Sequence, residues 1–244
     1  MKALNVLIKR EFFGYFITPV AWVFLMIFVS LSGLLTFYAG NFFGRGQADL
    51  QSFFLFQPWL YVFLIPAVSM RMWAEERRSG TIEMLMTLPV STGELVLGKF
   101  FAAWAFVGVA LILTTPMWIT VNYLGNPDNG VILMSYLASF LIAGTFLSVG
   151  SCMSACTKSQ MIAFVSTMMA CILLTFLGSD AVINILSDVA TEKVMKLFQS
   201  FGFLIHFLSL TRGVLDVRDL LFFISFSGVF LFATVIVLDQ KKAV

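Results

Sequence analysis

Eight ionisable side chains crowd the stretch from Met70 to Lys99: Arg71, Glu75, Glu76, Arg77, Arg78, Glu83, Glu94 and Lys99. They hold the largest basic cluster in the chain, and acids are threaded through it. Met70, Met72, Trp73, Ile82, Met84, Leu85 and Met86 interleave with these charges, and exposed sulfur and apolar side chains among ions mark a contact surface more often than a plain loop. Met72 to Arg78 reads as a short helix that Gly80 breaks. Thr81 to Leu88 reads as a second one, with Glu83 near its start, where a carboxylate suits the helix dipole, and Pro89 at its close. The pattern predicts helix, hinge and helix: a lever whose chemistry is binding rather than bond making.

Other constellations that could do chemistry fail on their details. Gly93 to Lys99 has the glycine and lysine spacing of a phosphate-binding loop, but Phe100 stands where Ser or Thr would hold magnesium, and no strand precedes it. Ser91 and Glu94 instead form a capping box that starts a helix after Pro89, which leaves Lys99 as a lysine reaching to the membrane surface. Leu31, Ser32 and Gly33 begin like an ATPase signature but lie inside an apolar run. His206 is the one histidine, and among Phe203, Phe207 and Leu208 it reads as the partner of a buried hydrogen bond. Cys152 and Cys156 lack further ligands for a metal, so with Ser148, Gly150, Ser151, Ser154 and Ala155 they read as small residues at a helix contact. The scatter of 13 Met argues for packing over metal handling. We expect no catalytic, metal-binding or cofactor-binding residue in this chain, no hydrolysis of ATP by it alone, and no nucleic-acid face.

The elements that position the charged stretch are membrane helices. Hydrophobic residues make up 60% of the chain and charged ones 11%, with 28 Phe, and the mean hydropathy is +0.97, far outside soluble domains. Six runs lack Asp, Glu, Lys and Arg: Phe12 to Gly44, Leu50 to Met70, Phe100 to Pro127, Asn129 to Thr157, Ser159 to Ser179 and Leu220 to Leu238. Each reaches the roughly 20 residues that cross a bilayer, and one central charge would cost about 2.5–3.5 kcal/mol. The expectation is an all-α integral membrane protein, a single domain over 1–244, with six transmembrane helices near 18–40, 51–71, 98–124, 131–156, 160–179 and 219–239 and an extracytoplasmic segment 180–218. With both termini in the cytoplasm, ten Lys and Arg fall inside and five (Arg45, Lys193, Lys196, Arg212, Arg218) outside, as the positive-inside rule requires.

Two flanking segments complete the reading. Leu4, Leu7, Ile8, Phe12 and Tyr15 recur at helical spacing, which predicts an amphipathic interfacial helix before Pro19 opens the first span. Glu11 falls in that arc and needs a basic neighbour; Lys9, Arg10 and Glu11 serve either an ordinary anchor or a gate. Beyond the fifth span, Val182, Ile185, Leu186 and Val189, then Val194, Leu197, Phe198 and Phe201, suggest amphipathic pieces of an outer lid. His206, Arg212, Gly213, Asp216, Arg218 and Asp219 belong to it, with Gly213 at a turn, Asp216 and Asp219 at the start of the last helix, and the two arginines expected to pair with nearby Asp. The spans lack the carboxylates on which ion-coupled transporters depend, so any work done on a substrate must come from outside the bilayer.

At Pro66, Ala67, Met70, Arg71, Glu75, Glu76, Arg77, Arg78, Gly80, Thr81, Glu83, Leu85, Leu88, Pro89, Val90, Gly98 and Lys99 the sequence resembles the permease subunits of ABC-2 type ABC transporters. Lys9, Arg10, Glu11, Phe12, Thr18, Pro19, Val20 and Ala21, with His206, Phe207, Arg212, Gly213, Val214, Asp216, Arg218, Asp219 and Leu220, look like the gliding-motility-associated branch. The resemblance implies a bacterial inner-membrane permease of an exporter that dimerises with itself or a second permease and binds a cytoplasmic cassette ATPase carrying ATP and magnesium. It further implies that the loop between the second and third spans is the coupling helix, so that Arg71, Glu75, Glu76, Arg77, Arg78, Gly80, Thr81 and Glu83 meet the ATPase. The alternative is a non-transporting anchor or scaffold of a gliding or secretion-type complex.

Overall fold

The computed structural model describes residues 2–86, 90–177, 179, 200–213 and 216–240, with backbone alone at 2–3 and 84–86. All regular structure there is helical. Helix α1 (Lys2–Ile17) ends at Thr18, whose extended backbone precedes Pro19 at the first turn of α2 (Pro19–Leu34), where a missing amide is no loss. A π-helical turn (Leu35–Ala39) and a short α3 (Phe42–Arg45) carry the chain to α4 (Gln51–Ser69). Met70 joins α4 to α5 (Arg71–Ser79), and Gly80, at φ +72°, turns the chain into α6 (Thr81–Met86). Such a positive φ favours glycine. The expected helix–hinge–helix is therefore present, although its end at Leu88 and Pro89 lies outside the described residues.

Helix α7 (Thr92–Ile112) starts with the anticipated capping box: Ser91 Oγ accepts from the Glu94 amide and the Glu94 carboxylate from the Ser91 amide. The third apolar run is not one helix. It breaks at Leu113–Thr114 and restarts as α8 (Thr115–Leu124), because Pro116 lacks an amide for the ladder. Helix α9 (Asn129–Cys156) follows, capped by Asp128 Oδ1 on the Gly130 and Val131 amides; its 28 residues run about 42 Å at 1.5 Å each. Then come α10 (Gln160–Phe176), α11 (Phe203–Leu210) and α12 (Val217–Gln240).

Among the described residues, five stretches are long and apolar enough to cross a membrane: Pro19–Arg45, Gln51–Ser79, Thr92–Leu124, Asn129–Cys156 and Val217–Gln240. The apolar helix α10, in the fifth expected span, has 17 residues. The proposed amphipathic lid pieces within 180–199 lie outside the described residues.

Helix α9 is the axis of the bundle, with α4, α5, α7, α10, α11 and α12 against it. Small side chains permit that crowding: Ala138, Ser139, Ala143, Gly144, Ser148, Ser151, Ser154 and Ala155 are buried, and in lipid close backbone approach and dispersion hold helices together. A Cβ on Gly144 would meet the Trp104 indole at 2.8 Å, where that ring stacks on Phe140 at 4.3 Å. A Cβ on Gly150 would collide with Ser69 of α4 and lie 3.1 Å from Thr167 of α10. Gly150→Leu is expected to lose about 1–3 kcal/mol by overpacking, read as a lower thermal midpoint in detergent. Gly228→Ala, with open space around it, should leave the midpoint unchanged or raise it.

Candidate functional site

Lys99 stands two turns into α7, facing α1 and α5. Its side chain is only 6% exposed, with Nζ 2.6 Å from Glu76 Oε1 and 3.2 Å from Glu11 Oε2, and it lies 5.4 Å from the centre of the Trp73 ring. Arg10 donates to the other Glu11 oxygen at 2.6 Å. Two cations and two carboxylates thus balance at the point where α1, α5 and α7 meet. Lys99 was expected to reach out to the membrane surface; it is drawn inward instead, because two acids converge on it and an aromatic face covers it. The pairing expected of Glu11 is formed. Burial raises the Glu11 carboxyl, but Lys99 and Arg10 outweigh it and hold the group below the usual carboxylate range.

The docking of α1 follows from small and aromatic residues. Leu7 sits directly on Gly98, where a Cβ would collide with it, and Tyr15 stacks on Phe106 at 5.2 Å. The apolar arc read from the sequence therefore faces α7. Val6, Phe13 and Ile17 cover the opposite side and are exposed.

Helix α5 is pinned to the end of α9 by its backbone and one indole. The amides of Trp73 and Ala74 both donate to Ser154 Oγ at 3.1 Å, and that hydroxyl donates to the Met70 carbonyl at 3.1 Å. Amides in a helix's first turn lack intrahelical partners, so Ser154 supplies what the α4–α5 joint lacks. Trp73, 1% exposed, donates from Nε1 to Ser151 Oγ at 2.9 Å. Arg77 reaches across to the Ala155 carbonyl at 2.6 Å, a cation at the negative end of α9. Ser151 and Ser154 therefore do more than pack; the sequence clue to their role is an indole amid charges, since a buried indole N–H requires an acceptor.

The eight expected coupling residues thus divide. Glu75, Arg78, Gly80, Thr81 and Glu83 are exposed; Glu76 and Arg77 turn inward as described. Arg71 lies beside the Thr18–Pro19 joint and Phe106, and its Nε meets no acceptor among the described residues. Of the gate trio, Lys9 and Arg10 are exposed and Glu11 is partly buried.

At the other end of α9, His206 Nδ1 is 2.6 Å from Asp219 Oδ1 and Nε2 is 3.0 Å from the Ser200 carbonyl, with the ring 4.2 Å from that of Phe222. This latches α11 to the start of α12, the hydrogen-bonding role read from the sequence. Asp216 Oδ1 accepts from the Arg218 amide at 2.9 Å, and Gly213 takes φ +84° where a Cβ would press on Val131. The ion pairs expected of Arg212 and Arg218 are not formed among the described residues.

A family model described as ABC-2 family transporter protein matches residues 7–238, taking in both ends of this bundle. The chain belongs to that family. An ABC-2 family chain is a membrane component of transport machinery and not itself the catalyst, and the apolar helices make this one a multi-pass membrane protein. No individually curated protein matches the sequence.

Lys99→Met is expected to release α1 and α5 together: removing one member of a buried ion cluster costs about 3–5 kcal/mol, nearer the lower figure here because Glu11 and Glu76 keep 19% and 17% exposure. Limited proteolysis within α1 measures it, and adding Glu76→Leu should restore part of the protection. Glu11 has a lowered folded value, so its contribution is complete above the unfolded value and fades as pH falls through the folded one. Release of α1 should accordingly appear only in acid, below the ordinary carboxylate range, and Glu11→Gln should flatten that dependence.

Proposed function

We propose that this chain is the membrane-spanning permease subunit of an ATP-driven ABC-2 type transporter, an exporter that takes its energy from a separate cassette ATPase. Six spans carry it, with α10 as the fifth and both termini in the cytoplasm of a bacterial inner membrane; the ten-to-five distribution of Lys and Arg supports that orientation. A second permease, identical or related, completes the path.

The observation that carries the reading is the construction of α5 and α6. Exposed Glu75, Arg78, Thr81 and Glu83 offer a mixed-charge surface, while Glu76, Arg77 and Trp73 tie the same short helices to α1, α7 and α9. Force applied to such a coupling helix reaches the interfacial α1 and the membrane helices α7 and α9 without an intervening flexible loop. Closure of the ATPase would swing α5 as a rigid piece, and the bundle would shift between inward and outward populations. Resemblance to the gliding-motility branch at Lys9 to Ala21 and His206 to Leu220 supports assignment to that branch. Nothing in α5 and α6 requires transport, so a purely anchoring role is the second reading.

Co-purification separates them. A cassette ATPase should accompany the tagged chain, and Glu75→Lys with Arg78→Glu should lower its yield at least tenfold while thermal stability stays unchanged. Recovery of the ATPase at wild-type yield rejects α5 as the dock; retention of the ATPase with no ATP-dependent substrate movement in vesicles favours the anchor. Reporter fusions after Leu88 and after Ala190 should report opposite sides of the membrane, and a shared side rejects six spans.

A further inference from the structure

A second site lies at the end of α9 away from the coupling helix. A cavity of about 360 Å³ opens there among Leu50, Phe54 and Leu55, the first turns of α9 at Val131 and Ile132, and Leu208. Its volume falls within the roughly 300–1,000 Å³ of small-molecule sites. The walls are fixed to one another. Ser135 Oγ donates to Val131 O at 2.7 Å and reaches Thr211 O at 3.5 Å, joining α9 to the end of α11, and Phe54 packs edge-on against Tyr136 at 5.1 Å.

Charge at the rim selects the occupant. Asp49 Oδ2 is 3.4 Å from Arg45, and its Oδ1 accepts from the Gln51 amide at 3.2 Å. Asp128 Oδ1 caps α9. Both acids thus already face a compensating positive group, a guanidinium in one case and a helix N-terminus in the other. Arg212 stands at the same rim, exposed and in no ion pair among the described residues. An apolar chamber with one uncompensated guanidinium at its mouth suits an apolar tail carrying an anionic head, since guanidinium binds phosphate and carboxylate with a matching fork of donors.

We infer that this cavity binds an acyl-chain amphiphile with an anionic head, the tail along Phe54, Ile132 and Leu208 and the head on Arg212. Lipid phosphate and fatty carboxylate share this chemistry. On the orientation proposed above the mouth faces the outer leaflet, but binding itself needs neither that orientation nor an ATPase.

The test uses the full chain, purified in a non-ionic detergent with whatever partner accompanies it, and follows dodecyl phosphate and dodecanoate by equilibrium dialysis. Saturable binding of either is expected and identifies the head. Arg212→Gln should weaken it about tenfold or more, as loss of a charge-assisted contact does, and Arg212→Lys should recover part of it. Leu55→Trp, at a position already 48% exposed, should plug the chamber and abolish binding at unchanged thermal stability; Leu208→Phe narrows the chamber from the opposite wall and replaces it if the first variant does not fold. Equal displacement by uncharged dodecyl maltoside, affinity unaltered in Arg212→Gln, or affinity unaltered in the folded plugged variant each overturns the inference.

Discussion

One buried ammonium organises the end of this molecule where α1, α5 and α7 meet. Lys99 Nζ, nearly sealed from solvent, holds Glu11 of α1 and Glu76 of α5 beneath the Trp73 ring. Desolvating such a group is expensive, and its position is sustained because two carboxylates and an aromatic face converge on it. Geometric definition follows from that expense. A lysine that can satisfy itself at only one place fixes how an N-terminal helix, a short charged helix and a membrane helix sit on one another. Ordinary apolar packing would permit sliding, because in lipid there is little hydrophobic force to oppose it.

The remainder of the α5 region is built around that point. Ser154 satisfies the amides at the α4–α5 joint, Ser151 takes the indole proton, and Arg77 occupies the last turn of α9. With its inner groups engaged, α5 presents Glu75 and Arg78 to the exterior. One nine-residue helix thus serves two surfaces with opposite demands. Its inward side chains are engaged with the bundle, and its outward ones stay exposed.

Features governed by neighbouring residues were legible in the sequence. Pro19 opening α2, the box of Ser91 and Glu94, the left-handed Gly80 and the turn at Gly213 depend on local backbone chemistry that a reader of residues can supply. The charged stretch was also plain as a helix, a turn at Gly80 and a second helix. Its internal division was not, because Glu11 and Lys99 lie 88 positions apart and Trp73 and Ser151 lie 78 apart, and no local rule brings such groups together. The break between α7 and α8 was readable from Pro116 but hidden by the uniform apolarity of its run, in which the absence of charge outweighed the proline. Membrane helices are defined by what they exclude, so their limits show in sequence better than their contacts do.

Helix α9 has a side chain on its exposed backbone at each extremity: Asp128 on the first amides and Arg77 on the Ala155 carbonyl. The first belongs to α9's own approach, but the second is borrowed from α5. Any swing that carries α5 away from the bundle also strips the guanidinium from that carbonyl. In the proposed transporter this joint would act as a detent, resisting small displacements and yielding to a push strong enough to break a charged hydrogen bond.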